Sequence, residues 1–112
     1  MTVTIDDARE IAAELPRSYE ALVRDRIKFR VAQIVWMAFS RDESIMGFAF
    51  PKEERQSLVE SRPEVFLLPR PSDLRYNWVC VRLDQINRDE LRELVVDAWR
   101  MCVPKKVSAL VD

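Results

Sequence analysis

The segment that most constrains the fold runs from Tyr76 to Lys106. Its first part, 76–83, alternates between two sets of side chains, which is typical of a β-strand. Asn87 then precedes an apolar periodic run, with Glu90 three residues later, and this spacing predicts a helix N-terminus. The helix has an apolar stripe that consists of Leu91, Leu94, Val95, Ala98 and Cys102, with Trp99 at its edge. A strand that leads into such a helix predicts a sheet with a helix packed across it.

The rest of the chain supplies further strands and helices for the same layered body. A first helix is predicted between a Thr4 cap and Pro16. The remaining predicted elements are strands over 27–31, 34–40 and 44–50, a helix over 52–61, and strands over 65–68 and 76–83. The order helix, three strands, helix, two strands, helix predicts an α+β fold with two layers and a largely antiparallel five-stranded sheet.

Composition narrows the classes of function. A chain of 112 residues fits a single domain, 1–112. Histidine is absent and glycine occurs once, which excludes histidine-based triads and glycine-rich phosphate loops. We therefore expect a protein that is not an enzyme and that holds no cofactor or metal.

Location is predicted from the apolar runs and the cysteines. No apolar run reaches the roughly 18 residues of a membrane span, and the N-terminal residues lack the pattern of a secretory signal. Cys80 lies in a strand pattern and Cys102 on an apolar helix face, so both are interpreted as reduced core residues. The expected location is cytoplasmic, with no membrane partner.

The charge is small overall but unevenly distributed. Net charge is −1 and the pI is about 5.6, whereas a dedicated nucleic-acid-binding domain usually has a pI above roughly 9. Yet one predicted strand and its extension carry a cationic row at every second position: Arg24, Arg26, Lys28 and Arg30. Such positions lie roughly 6.5–7 Å apart, a spacing that suits a phosphate backbone. The alternative is a solvated edge strand that charge protects from aggregation.

Two aromatic groups allow two interpretations each. Tyr76, Trp78 and Arg82 share one face of a strand that follows Arg75, so the rings could stack on unpaired bases or belong to the core. A two-layer fold covers one face of its sheet, and a second set of apolar residues needs cover on the other face: Trp36, Met46, Phe48 and Phe50. A homodimer through this apolar face is one solution, and cover by loops and the terminal turn is the other.

The C-terminal motif resembles the MmcQ/YjbR family. The motif reads W-V-x-V-x-L-D, a short gap, D-E-L-x-E-L-V-x-x-A-W-R and a closing P-K-K, over residues 78–106. Supporting motifs are F-x-V at 29–31, P-K-E-E-R at 51–55 and R-P-E-V-F at 62–66. The resemblance implies an α-β(3)-α-β(2)-α fold similar to type III secretion chaperones, and a DNA-binding role through a "double-wing" arrangement of hairpins. The chain departs from the family pattern at a turn that usually contains glycine, where Ala32-Gln33 stands.

Two hypotheses of function follow. In the first, the protein binds DNA weakly through its phosphates, and the contact residues are Arg24, Arg26, Lys28, Arg30, Arg75, Trp78, Arg82, Lys105 and Lys106. In the second, it is a non-enzymatic protein-interaction module, homodimeric or otherwise, without affinity for nucleic acid.

Overall fold

The computed structural model describes residues 2–111, so the two end residues of the predicted domain lie outside the described part. The helices are α1 (Ile5–Ala13), α2 (Lys52–Ser61), α3 (Arg88–Arg100) and α4 (Lys105–Ser108). The strands are β1 (Ser18–Val23), β2 (Arg26–Val31), β3 (Ile34–Phe39), β4 (Ile45–Ala49), β5 (Phe66–Leu67) and β6 (Trp78–Arg82). Short 3-10 turns at Pro71–Asp73 and Leu83–Gln85 flank β6.

The six strands form one sheet in the order β1-β2-β3-β4-β6-β5, and every neighbouring pair is antiparallel. The predicted α+β class and antiparallel sheet are confirmed. The predicted count of five strands is wrong, because residues 18–23 form an additional edge strand. Among residues 2–111, no helix has both the length and the apolar character of a membrane span.

Strand β1 was not predicted because the turn that follows it lacks the residues usually found in hairpin turns. Arg24 and Asp25 join β1 to β2 with φ angles of 51° and 66°, which is the signature of a type I′ hairpin turn. Such turns are normally recognised by Asn-Gly or Asp-Gly, and this chain has neither there. The extended strand position predicted for Arg24 is therefore wrong, since Arg24 lies at the tip of the hairpin.

A β-bulge explains why β3 appears apolar on both faces. Phe29 lies opposite Met37 and Arg30 opposite Val35, so Trp36 is the extra residue in β3. The bulge turns Trp36 and Met37 to the same side, and both are fully buried. That side is the one against which α3 packs, through its contacts with β3 and β4.

The predicted uncovered apolar face is consequently wrong. Trp36, Met46 and Phe48 are each 1% exposed or less, because the helices cover the face on which they lie. Phe50 is half-buried and packs against the same core. These four residues therefore do not form the apolar surface on which the homodimer prediction rested.

Helix α3 holds the two layers together. Asn87 Oδ1 accepts a hydrogen bond from the Glu90 amide at 2.8 Å, so the predicted cap is confirmed. Leu91, Val95 and Ala98 are fully buried, as the apolar stripe predicts. Trp99 is also fully buried, and its indole Nε1 donates to the Pro16 carbonyl at 2.8 Å, which joins α3 to the chain just after α1.

The β1–β2 turn provides a test of the extra hairpin. Left-handed backbone costs an L-residue about 1–2 kcal/mol, and glycine or asparagine tolerates it better. The double variant Arg24→Asn, Asp25→Gly is therefore expected to raise the free energy of unfolding by about 1 kcal/mol, or Tm by roughly 4 °C. Gln33→Gly, at a turn position without a positive φ, is the control and should lower stability. A drop in Tm for the double variant would contradict this turn geometry.

Candidate functional site: the open face of the sheet

The sheet face opposite the helices is here called the open face. Lys28 lies opposite Ala38, Ala38 opposite Gly47, and Gly47 opposite Cys80, and residues that lie opposite each other share a face. Alternation along each strand then assigns the other side chains. The open face carries Tyr19, Ala21 and Val23 of β1, Arg26, Lys28 and Arg30 of β2, Val35 and Ala38 of β3, Ile45, Gly47 and Ala49 of β4, Leu67 of β5, and Trp78, Cys80 and Arg82 of β6.

Charge divides sharply between the two faces of the sheet. The basic residues of the six described strands are Arg26, Lys28, Arg30 and Arg82, and all four lie on the open face. The one acidic strand residue is Glu20, which lies on the helix side and pairs with Arg9 of α1 at 3.0 Å. The strands of the open face thus carry cations and no carboxylate.

Acidic groups concentrate instead on the helix layer. Arg88 of α3 bridges Asp7 at 2.7 Å and Glu10 at 3.1 Å, both on α1. The amide of Thr4 and the Arg88 guanidinium lower the pKa of Asp7, although partial desolvation opposes them. The basic open face is therefore offset by acidic residues elsewhere in the chain, of which α1, α2 and α3 each carry an excess, and the net charge is −1.

Trp78 of β6 packs against the open face over Gly47 of the neighbouring strand β4. A Cβ atom added to Gly47 would lie 2.5 Å from the Trp78 Nε1 atom and 2.9 Å from Cε2 and Cζ2. No real Cβ approaches an atom that closely, so the indole occupies space that only glycine leaves. The single glycine of the chain is thus the seat of this ring.

Two grooves flank Trp78, and the indole lines both. The larger has a volume of about 690 Å³, and the smaller about 320 Å³. Arg26 and Arg70 line both grooves, and Lys28 lines the larger. One carboxylate, that of Asp73, also lines both, and it lies 3.6 Å from Arg70.

The loop that forms the groove wall, residues 70–77, is held in place by a buried arginine. Arg55 of α2 is 8% exposed, and its guanidinium donates to the carbonyls of Tyr76 at 2.8 Å, Trp78 at 3.2 Å and Leu74. A guanidinium with its donors fixed on three carbonyls is a structural cation. Arg55 therefore shapes the wall and is not available to a ligand.

The structure brings together part of the predicted contact set. Arg26, Lys28, Arg30, Trp78 and Arg82 share the open face, and Arg26, Lys28 and Trp78 meet at the larger groove.

The other predicted contact residues lie elsewhere. Arg75 is exposed and stacks over the Tyr76 ring at 4.9 Å, with Tyr76 itself in the larger groove. Arg24 lies at the hairpin tip, and Lys105 and Lys106 lie on α4, outside the lining of either groove.

Sequence reasoning missed Gly47, Arg55 and Arg70. A lone glycine inside an apolar strand is a recognised indication that another group approaches the backbone closely, so Gly47 could have been found. Arg55 and Arg70 carry no such indication. Arg55 bonds to carbonyls about 20 residues further along the chain, and Arg70 meets Arg26 and Trp78 only where the folded chain forms the grooves.

The thiols have little reactivity of their own. Burial raises the pKa of Cys80, in the smaller groove, to about 11, and burial also raises the pKa of Cys102. A thiol with a raised pKa is a poor nucleophile at neutral pH. Among residues 2–111, no three Cys, Asp or Glu side chains cluster closely enough to hold a metal ion.

These features define a class of protein. It is a small α+β domain whose helices cover one face of an antiparallel sheet and whose other face presents cations around a tryptophan. The YjbR family model matches residues 4–101 of the chain. The chain therefore belongs to the YjbR family, which confirms the resemblance drawn from its C-terminal motif.

A solved structure shares this fold. The crystal structure of Deinococcus radiodurans protein DR2400, with a DUF419 domain, superposes with a TM-score of 0.77 over 96% of this chain and 86% of that chain. The two sequences are 19% identical, so the likeness concerns the fold alone. None of the curated proteins matches the chain.

Proposed function

We propose that this protein binds nucleic acid weakly, without sequence preference and without catalysis, through phosphate contacts on the open face. The observation that carries the proposal is the division of charge: every basic strand residue lies on that face, and the acidic strand residue lies on the other. Phosphate contacts supply most of the affinity of non-specific binding. Arg24, Lys105 and Lys106 are not needed for this contact.

The arrangement of the cations suits a phosphate backbone. Arg26, Lys28 and Arg30 project from one side of β2, at intervals of roughly 6.5–7 Å along the strand. Arg82 extends the basic surface to β6, on the other side of the central strands. Arginine is the better phosphate ligand, because its planar guanidinium can engage two oxygens at once.

Titration with salt tests the proposal directly. Each phosphate neutralised contributes about −0.9 to the slope of log affinity against log salt concentration. For the triple variant Arg26→Gln, Lys28→Gln, Arg30→Gln we expect a slope that is flatter by up to about 2.7 and a lower affinity for duplex DNA at low salt. The measurement is fluorescence anisotropy with a labelled duplex at several salt concentrations.

The matched control removes the same charge from the helix layer. Arg88→Gln, Arg92→Gln, Arg100→Gln loses three cations from α3, whose exposed ion pairs contribute little to stability. This control should bind DNA about as well as the unmodified protein. No binding at low salt, or equal losses in the two triple variants, would rule out the open face as a phosphate-binding surface.

The sheet edge favours a second candidate, a protein-interaction module that binds no nucleic acid. Strand β1 pairs only with β2, so its outer backbone groups are free to accept another strand, and Leu22 is 72% exposed there. Edge pairing between two copies would give a homodimer. Failure to bind DNA at low salt, together with dimer formation in sedimentation experiments, would favour this role over the first.

A further inference from the structure

We infer that the open face takes single-stranded nucleic acid in preference to duplex, with Trp78 as the platform on which a base stacks. The inference rests on the proposed function and names its ligand class. Proteins that bind single strands combine a cationic groove with aromatic rings that stack on bases, and every base offers such a ring face. Duplex DNA keeps its bases stacked on one another and presents phosphates to a flat surface.

The seat of Trp78 is the first support. The indole packs over Gly47, and its Nε1, Cε2 and Cζ2 atoms occupy the space that a side chain at this position would need, so the ring is held against the sheet. Trp78 is half-buried, whereas Trp36 and Trp99 are each 0% exposed. A ring held in place by this contact, and lining two grooves, is pre-organised for stacking because little side-chain freedom is lost on binding.

The groove chemistry is the second support. Three cations, Arg26, Lys28 and Arg70, line the larger groove with one carboxylate, Asp73, so the groove has a local excess of positive charge. The floor of the groove is apolar, because the small side chains of Ala38 and Ala49 lie beside the indole. An apolar floor, a fixed ring and surrounding cations complement a base that carries a phosphate on each side. Tyr76, which is 51% exposed, offers a second ring at the groove wall.

Binding of a short oligothymidylate and of a duplex of the same length tests the inference. At low salt, we expect the single strand to bind the unmodified protein at least about tenfold more tightly. We also expect a change in intrinsic fluorescence that belongs to Trp78, since the other two indoles are buried. This readout needs no variant, so it holds even where a substitution impairs folding.

Three substitutions separate stacking from charge. Trp78→Ala should lose about 5- to 150-fold in affinity for the single strand and little for the duplex. Trp78→Phe should retain part of that affinity. Gly47→Ala keeps the indole but displaces it from its seat, so it should resemble Trp78→Ala for the single strand. Unchanged duplex affinity in each variant serves as the control for folding and for the cations.

The outcomes distinguish the two proposals. Equal affinity for the two ligands, or a Trp78→Ala variant that binds the single strand normally, would overturn the stacking role and leave phosphate binding intact. Binding to neither ligand at low salt would overturn both.

Discussion

Replacing Arg55 with methionine is expected to lower the free energy of unfolding by about 3 kcal/mol, because three part-buried carbonyls lose their donor and each such loss costs about 1 kcal/mol. Methionine has a similar length but no donors, so the carbonyls of the 70–77 segment lose their partner. Urea unfolding followed by circular dichroism measures the change.

The control for Arg55 lies on the same helix. Gln56 is exposed and bonds only to Glu60 in the next turn, so Gln56→Met should change stability by no more than about 0.5 kcal/mol. Arg55→Lys keeps the charge without the planar fork and should fall between the two. A stable Arg55→Met variant would show that the segment holds its conformation without this arginine.

Replacing Trp99 with alanine is expected to cost about 3–5 kcal/mol, the largest effect among these substitutions. The ring is fully buried between α3 and the segment after α1. Its removal therefore leaves a cavity, and the close-packed residues around that cavity can fill it only in part. Since a domain of this size has a total stability of about 5–15 kcal/mol, the variant should be close to unfolding at ambient temperature. Thermal and chemical denaturation would measure the loss.

A pair of milder changes isolates the hydrogen bond of Trp99. Trp99→Phe leaves the Pro16 carbonyl without its donor, whereas the Trp36 Nε1 atom has no partner among the described residues. Trp36→Phe therefore removes no hydrogen bond, and it should cost about 1–2 kcal/mol less than Trp99→Phe. Equal losses would show that packing alone determines the contribution of Trp99.

Much of the fold could be predicted because local chemistry and tertiary packing agree. The α3 helix is an example: its Asn87 cap and apolar stripe are visible in the sequence, and the structure confirms them. Strand β1 could not be predicted, because its hairpin uses Arg24 and Asp25 where a glycine turn is expected. The bulge at Trp36 was also hidden, since one extra residue reverses the facing of the strand without altering its composition.

The candidate site was predictable only in part. The alternation of Arg26, Lys28 and Arg30 placed them correctly on one side of a strand. Which face of the sheet remained open depended on the bulge and on helix packing. The prediction that Trp36, Met46 and Phe48 lie on the face without helices was therefore wrong. The grooves depend on the contact of Trp78 with Gly47, which are 31 residues apart in the sequence, and no local pattern pairs them.

The turns between the strands are positions at which substitutions can raise the stability of the protein. Arg24, Asp25, Ala32 and Glu43 lie in the turns between strands and adopt left-handed backbone without being glycine. Each is a position where a substitution can gain stability without touching the surface that would meet a ligand. Lineages of this protein could therefore alter the residues around Trp78 at some cost in stability and compensate at the hairpins, so that the open face diversifies while the scaffold persists.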